Sequence, residues 1–185
     1  MSLSLRKDID DAGIPSWFLT QYARKEKLEK MAPGFYALST WNYDEYFVFQ
    51  YRYPKFIFSC LTALYLNGLT DRVPDVIEAT APSGYHPYKQ KEKHFVGRFL
   101  RNHSIYMVGT TTIKTMYDHP VLAYGMERAI CELVKERDSY DPETFLKALN
   151  RYVERKDADS QKLYEIADTL KVSKQVREIM EIVRF

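Results

Sequence analysis

The first part of the chain alternates apolar stripes with strong breaks, which predicts a small helical unit closed by a β-hairpin. Leu5, Ile9 and Ala12 keep the spacing of one helix, and a second helix is predicted over residues 15–25. Residues 28–38 then predict two short strands, because their Pro-Gly pair suits the centre of a type II turn. This order of helix, helix and hairpin is typical of a winged helix.

The middle of the chain predicts one aromatic helix, one shorter helix and a small sheet. Residues 41–54 place aromatic side chains at helical spacing, and a helix capped by Ser59 is predicted to end at Gly68. Short β-favouring runs separated by Pro, Gly, Asn and His follow. These runs lie at residues 76–77, 95–100, 105–108, 110–116 and 121–124.

The end of the chain predicts a helical bundle. An apolar stripe starts at Met126, and Asp141, Ser160 and Ser173 are expected to cap the helices that follow it. The predicted fold is therefore α+β, with a partial winged-helix DNA-binding domain followed by an α/β domain that contains a small mixed sheet and ends in four helices. The predicted domains are residues 1–40 and residues 41–185.

Composition narrows the classes of function. The chain has 185 residues, of which 45% are hydrophobic and 15% aromatic, which excludes disorder as its dominant state. Its 27 basic and 25 acidic residues nearly balance, so any nucleic-acid surface must be local. Cys60 and Cys131 form no C-x-x-C pair, and no apolar run is long enough to span a bilayer. We expect a cytoplasmic protein with two buried thiols and no membrane contact.

The second predicted helix and the hairpin carry the candidate DNA-binding residues. Short polar groups on the outward helix face can read base edges, whereas cations can meet phosphates. The alternative is an ordinary solvated helix, because nearby carboxylates offset most of the cations in this stretch. The candidate base-reading residues are Ser16, Thr20 and Gln21, and the candidate phosphate contacts are Arg24, Lys25, Lys27 and Lys30.

Signals for catalysis are weak. Asp75 and Glu78 flank a predicted strand, as in metal-dependent nucleases, but the Lys of an E-x-K element is missing. No phosphate-binding glycine loop or nucleophile elbow occurs. The histidines, which also lack metal-ligand spacing, are His86, His94, His103 and His119. We predict a protein that is not an enzyme and holds no cofactor or metal. The alternatives are a metal-dependent nucleic-acid enzyme or a protein-interaction adaptor using the C-terminal domain.

A series of segments along nearly the whole chain resembles the AbiEi family, the antitoxins of abortive-infection (type IV) toxin–antitoxin systems. The wing segment Leu28-Glu-Lys-Met-Ala-Pro-Gly-Phe-Tyr36 carries the family's G-[VIF]-Y signature. The ordered series is more specific than any single piece. The other matching segments are residues 13–15 with Leu19, 62–71 with Pro74, 124–132, 141–143, 162–167 and 176–177.

The resemblance implies that the full-length protein is a repressor that binds an inverted repeat in its own promoter through the winged helix. It also implies a C-terminal domain that counteracts a co-encoded nucleotidyltransferase-like toxin without a stable complex. By position, residues 16–25 would form the recognition helix and residues 27–36 the wing. Glu127 and Arg128 match the family's E-R-T turn, for which we expect a structural ion pair and helix cap.

The sequence departs from the family pattern at three places. The family has one more helix before the one predicted at Leu5, so we expect a chain that is truncated or lacks that helix. Glu26 stands where a glycine usually ends the recognition helix, and Ala129 replaces the Thr of E-R-T.

Overall fold

The computed structural model describes residues 43–85 and 95–183, the backbone of short strands at residues 4–5, 28–32 and 35–38, and the single residues Pro15, Trp17, Gln21 and Lys25. Its internal contacts divide the chain into two units, Met1–Pro54 and Lys55–Phe185. The aromatic helix predicted within residues 41–54 thus falls in the first unit, whereas the sequence placed it in the second domain.

The first unit contains a three-stranded antiparallel sheet in the order β1-β3-β2, formed by β1 (Ser4–Leu5), β2 (Leu28–Ala32) and β3 (Phe35–Leu38). The predicted hairpin of β2 and β3 is confirmed. The prediction that Leu5 begins a helix is wrong, because its backbone pairs with Phe35 at the open edge of the hairpin. Strand pairing there overrides the local helical spacing. The rest of that predicted helix lies outside the described residues.

Helix α1 (Glu45–Arg52) confirms the helical interpretation of the aromatic segment. Asp44 is its N-cap, and the Asp44 carboxylate accepts a hydrogen bond from the Phe47 amide at 3.1 Å. Pro54 follows shortly after the helix ends, where a proline cannot continue the hydrogen-bond ladder. The aromatic-rich segment thus forms a helix in which Tyr46 and Phe49 are buried.

The second unit is built on a five-stranded mixed sheet in the order β6-β5-β4-β8-β7. Its β5–β6 and β4–β8 pairs are parallel, and its β4–β5 and β7–β8 pairs are antiparallel. The predicted small mixed sheet is confirmed, although β4 is too short for its pattern to be seen in the sequence. The strands are β4 (Ile57–Phe58), β5 (Ile77–Pro82), β6 (Phe95–Leu100), β7 (Thr110–Lys114) and β8 (Pro120–Tyr124).

One predicted strand is a helix instead. Residues 105–108 lie largely in α3 (His103–Met107), because the Asn102 side chain accepts hydrogen bonds from the Ser104 and Ile105 amides and starts a helical turn. The cap overrides the β preference of this apolar run. The other helices of the second unit are α2 (Cys60–Leu66), α4 (Met126–Lys135), α5 (Pro142–Glu154), α6 (Ser160–Leu170) and α7 (Ser173–Val183), with a 3₁₀ turn at Arg137–Ser139.

The core of the second unit forms around α4, which contacts β8 and the helices α2, α5, α6 and α7. Ile130 and Leu133 on α4 are completely buried. Asp141 caps α5 as predicted, but Asp159 rather than Ser160 caps α6, since its carboxylate accepts the Lys162 amide at 3.0 Å. Among the described helices, none has the length and apolar character needed to cross a membrane.

Candidate nucleic-acid interface and buried charge cluster

Three described residues mark one face of the helix predicted over residues 15–25. Trp17 and Gln21 are helical, and the Lys25 amide donates to the Gln21 carbonyl oxygen at 3.2 Å, which is the spacing of an α-helical hydrogen bond. All three side chains are exposed, and Trp17 is 62% exposed. Residues four apart lie one above the other on a helix, so they form an outward row, here called the Trp17 row.

The remaining candidate DNA-binding residues are only partly described. The backbone of Lys30 lies in β2 opposite Tyr36, so this lysine belongs to the hairpin, as predicted. The candidates outside the described residues are Ser16, Thr20, Arg24 and Lys27. Their contacts with DNA stay a prediction, as do those of Gln21, Lys25 and Lys30.

In the second unit, a buried cluster of charged side chains surrounds the first turn of α2. Glu132 on α4 accepts a hydrogen bond from the Cys60 amide at 3.0 Å and one from Arg128 Nε at 3.1 Å. Burial raises the pKa of the Glu132 carboxyl, and Arg128 and the Cys60 amide act in the opposite direction. The Glu132 carboxylate, which belongs to another helix, therefore caps the N-terminus of α2. The Ser59 side chain makes no capping bond and instead accepts from the Thr80 hydroxyl at 3.0 Å.

Glu78 on β5 caps the same turn from the sheet. One of its carboxylate oxygens accepts the Leu61 amide at 2.8 Å, and the other lies 3.4 Å from Arg98. Arg98 also pairs with Glu136. These partners compensate the negative charge of Glu78. A carboxylate bound in this way by its own protein has a structural role. We call Glu78, Arg98, Arg128, Glu132 and Glu136 the buried charge cluster, in which Arg128 and Glu132 are buried and the other three side chains are partly buried.

The candidate nuclease pair does not come together. The Asp75 side chain is 90% exposed and its near cation is Arg72 at 3.9 Å, whereas Glu78 faces α2 and Arg98. Within residues 43–85 and 95–183, no group of three His, Cys, Asp or Glu side chains could hold a metal ion. His103 lies exposed beside the Tyr106 ring.

Both cysteines are buried free thiols. Cys60 has a φ of 53° at the turn from strand into helix, a left-handed conformation that costs energy in a residue other than glycine. Burial raises the pKa of Cys60 above its ordinary value, and burial raises the pKa of Cys131 to about 12. Only the thiolate is a good nucleophile, so these side chains are packed thiols rather than reactive ones.

The Glu127–Arg128 turn is structural, as the sequence predicted for this pair, but the two side chains have different partners. Glu127 accepts the Asp159 amide at 3.4 Å and pairs with Lys162 at 3.0 Å, which ties α4 to the start of α6. Arg128 pairs with Glu132 and lies over the Tyr124 ring at 4.4 Å.

A surface groove lies between α5 and the segment after α2. Opposite charges compensate each other along it: Arg72 pairs with Asp141 at 2.7 Å, and Lys147 pairs with Asp71 at 3.1 Å. Such a groove favours neither an anion nor a cation. Its lining residues are Thr70, Arg72, Asp141, Glu143, Thr144 and Lys147.

Sequence reasoning missed most of this arrangement. The Arg128–Glu132 pair has the i, i+4 spacing of a helical ion pair, which the sequence does show. Nothing local links Arg98 with Glu136, since these residues lie on different elements. The exposed Trp17 was also missed, although its spacing from Gln21 and Lys25 was visible.

Comparison with solved structures found a distant likeness. The chain is similar to the crystal structure of the RV2827C protein from Mycobacterium tuberculosis, with a TM-score of 0.60 and 14% identity. The match covers 91% of this chain and 67% of that protein. No protein-family profile and no curated protein matches the chain. The likeness shows a shared α+β fold.

Proposed function

We propose that the chain is a transcriptional repressor and antitoxin of an abortive-infection operon. In this proposal the first unit binds promoter DNA as a winged helix, and the second unit opposes a nucleotidyltransferase-like toxin. The protein is a binding protein and carries out no catalysis of its own.

One observation supports the DNA-binding half above the others. Gln21 and Lys25 lie exposed on a helical turn that is followed directly by the β2–β3 hairpin. A winged helix requires this order, because the helix enters the major groove while the hairpin touches the adjacent backbone. An amide side chain can pair with adenine in that groove, and a lysine can meet a phosphate.

The antitoxin half rests on the resemblance to the AbiEi family. The buried charge cluster supports it in one respect, because its carboxylates cap a helix and bind arginines. That use of its charges leaves the second unit suited to a role other than acid–base or metal chemistry.

Fluorescence anisotropy tests DNA binding directly. The full chain is titrated against labelled DNA from the region upstream of its own operon, and against a scrambled duplex, over a series of salt concentrations. We expect tight binding to the upstream DNA that weakens steeply with salt. Absence of salt-sensitive binding would contradict the proposed repressor function.

Two variants separate the roles of the exposed residues. Lys25→Ala should weaken binding to both duplexes and lower the salt slope by about one, as the loss of one phosphate contact does. Gln21→Ala should mainly reduce the preference for the upstream DNA over the scrambled one. Lys174→Ala is the matched control, because Lys174 is an exposed helical lysine of the second unit. Equal losses from Gln21→Ala on both duplexes would contradict the base-reading role.

Growth assays test the antitoxin role. Co-expression with the neighbouring toxin gene should restore growth, and a chain of residues 55–185 should retain this effect if the second unit carries it. Size-exclusion chromatography of the two proteins together should give separate peaks. Failure to restore growth would contradict the antitoxin role. It would not bear on the DNA-binding role.

A further inference from the structure

Strand β7, at the edge of the five-stranded sheet, has one unpaired side. It pairs with β8 along its whole length, and among the described residues no strand lies on its other side. Thr111 and Thr112 in the middle of β7 are exposed. An edge of this kind presents backbone N–H and C=O groups to which another strand can pair.

The hydrogen bonds to β8 show which residues of β7 direct their backbone groups outward. At one end of the pair the Gly109 carbonyl oxygen accepts from the Gly125 amide at 2.8 Å, and at the other end the Thr115 amide donates to the His119 carbonyl oxygen at 3.0 Å. Inward and outward residues alternate along an antiparallel strand, so every second residue between these ends presents its N–H and C=O groups to the free edge. These outward residues are Thr110, Thr112 and Lys114.

The free edge of β7 carries little of the protection that usually keeps edge strands apart, which consists of charged side chains, prolines or bulges. Lys114 is the single charged residue of β7, and its ammonium group pairs with Asp118 of the same hairpin at 2.7 Å. The other four residues of β7 are uncharged and β-branched, which favours an extended strand. The edge is therefore suited to accept a further strand.

Exposed apolar side chains at the two ends of β7 favour a second copy of this chain as the partner. Met107 lies five residues before Thr112, Tyr117 lies five residues after it, and both are exposed. Met116, next to Tyr117, is 81% exposed. Antiparallel pairing about a two-fold axis at Thr112 brings each end of one β7 to the opposite end of the other. Met107 then lies near the second copy's Met116 and Tyr117, so the surface is complementary to itself.

The same register uses every outward backbone group. Thr112 lies opposite the second copy's Thr112, and Thr110 lies opposite Lys114, so three residue pairs exchange about six hydrogen bonds. Like charges do not face each other in this arrangement. We propose that the chain forms a symmetric dimer by antiparallel pairing of β7 with β7 of a second copy, which joins the two five-stranded sheets into one. This dimer is independent of the proposed function, which assigns no role to β7.

Sedimentation velocity of the full chain at concentrations from about 1 to 200 μM tests the dimer. The wild type should change from monomer to dimer over this range, as a small interface allows. Thr112→Lys and Thr112→Glu each place two like charges opposite each other at the two-fold axis. Each variant alone should therefore have a dimer dissociation constant at least about fivefold higher than the wild type. An equal mixture of the two variants should restore the dimer, because opposite charges then meet at the axis.

Thr169→Lys is the matched control, because Thr169 is an exposed threonine of α6 and the substitution adds the same charge. This variant should dimerise as the wild type does. Circular dichroism checks the fold of each variant. If a Thr112 variant does not fold, Met116→Asp decides the question, since it alters the exposed turn after β7 and should raise the dissociation constant at least about threefold.

Four results would overturn the dimer. A wild type that is monomeric at every concentration leaves the edge for a strand of a different protein. A dimer that the Thr112 variants leave unchanged assigns association to another surface. Thr112 variants whose mixture associates as weakly as each variant alone contradict the two-fold axis at Thr112. An unchanged dimer in Met116→Asp contradicts the contact between opposite ends of the two strands.

Discussion

The Trp17 row and the buried charge cluster use polar residues in opposite ways. In the row, Gln21 and Lys25 are exposed and can exchange water for a ligand. In the cluster, Arg128 and Glu132 are buried, and each is bound to groups of its own protein. Polar side chains are thus exposed to water in the first unit, whereas those of the second unit hold its own elements together.

The comparison teaches that burial and partners, rather than residue type, decide what a charge does. An exposed charge contributes little to stability because water solvates it in both states. A buried charge is expensive to leave alone, so its partners become indispensable. Ion pairs of the second unit should therefore differ in their effect on stability according to their depth.

The deepest pair should show the largest effect. Arg128→Met keeps a long apolar stem but leaves the buried Glu132 charge without its cation and removes the bond to the Ile105 carbonyl oxygen. We expect the free energy of unfolding to fall by about 3–5 kcal/mol. Urea denaturation followed by circular dichroism measures the loss.

Lys114→Met is the matched control, because Lys114 pairs with Asp118 at 2.7 Å on the surface. Its loss should change the free energy of unfolding by less than about 1 kcal/mol. Similar losses in Arg128→Met and Lys114→Met would break the distinction between buried and exposed pairs.

An intermediate effect is expected at Glu78, which is partly buried. Glu78→Ala removes the cap on the Leu61 amide and one partner of Arg98, so we expect a loss of about 1–2 kcal/mol. Thermal shift with and without Mg²⁺ or Mn²⁺ extends the test. Asp75→Ala is the control, since that side chain is almost fully exposed. A metal-induced stabilisation lost in Glu78→Ala would favour a metal site over a structural cap.

The smallest effect should appear at the surface, as a pH dependence. Hydrogen bonds from Arg151 and Lys147 lower the pKa of Asp71 from its ordinary 3.8 to about 2. Because folding lowers this pKa, the stabilisation is complete above about pH 4 and is lost as the pH falls toward about 2.

Asp71→Asn removes this titration and should flatten the acid limb of the stability profile slightly. Urea denaturation at a series of pH values between those limits compares the variant with the wild type. Parallel profiles for the two proteins would show that Asp71 contributes no pH-dependent stability.

Local patterns predicted the elements that local forces stabilise. The β2–β3 hairpin, α1 and the C-terminal helices follow from turn residues, apolar spacing and caps, all of which act within a few residues. Where the predicted element was wrong, a different local or non-local interaction outweighed the propensity of the segment. The Asn102 cap starts a helix in the apolar run at residues 105–108, and pairing with Phe35 places Leu5 in a strand.

The sequence by itself determined an α+β protein with an outward polar helix face at its front and balanced charge throughout. Only the tertiary structure decided that Glu132 caps α2 at Cys60, 72 residues away along the chain, and that Arg98 joins Glu78 to Glu136. Periodicity records which side of a helix is apolar. It does not record which distant group a buried charge will meet, because packing of the whole unit sets that choice.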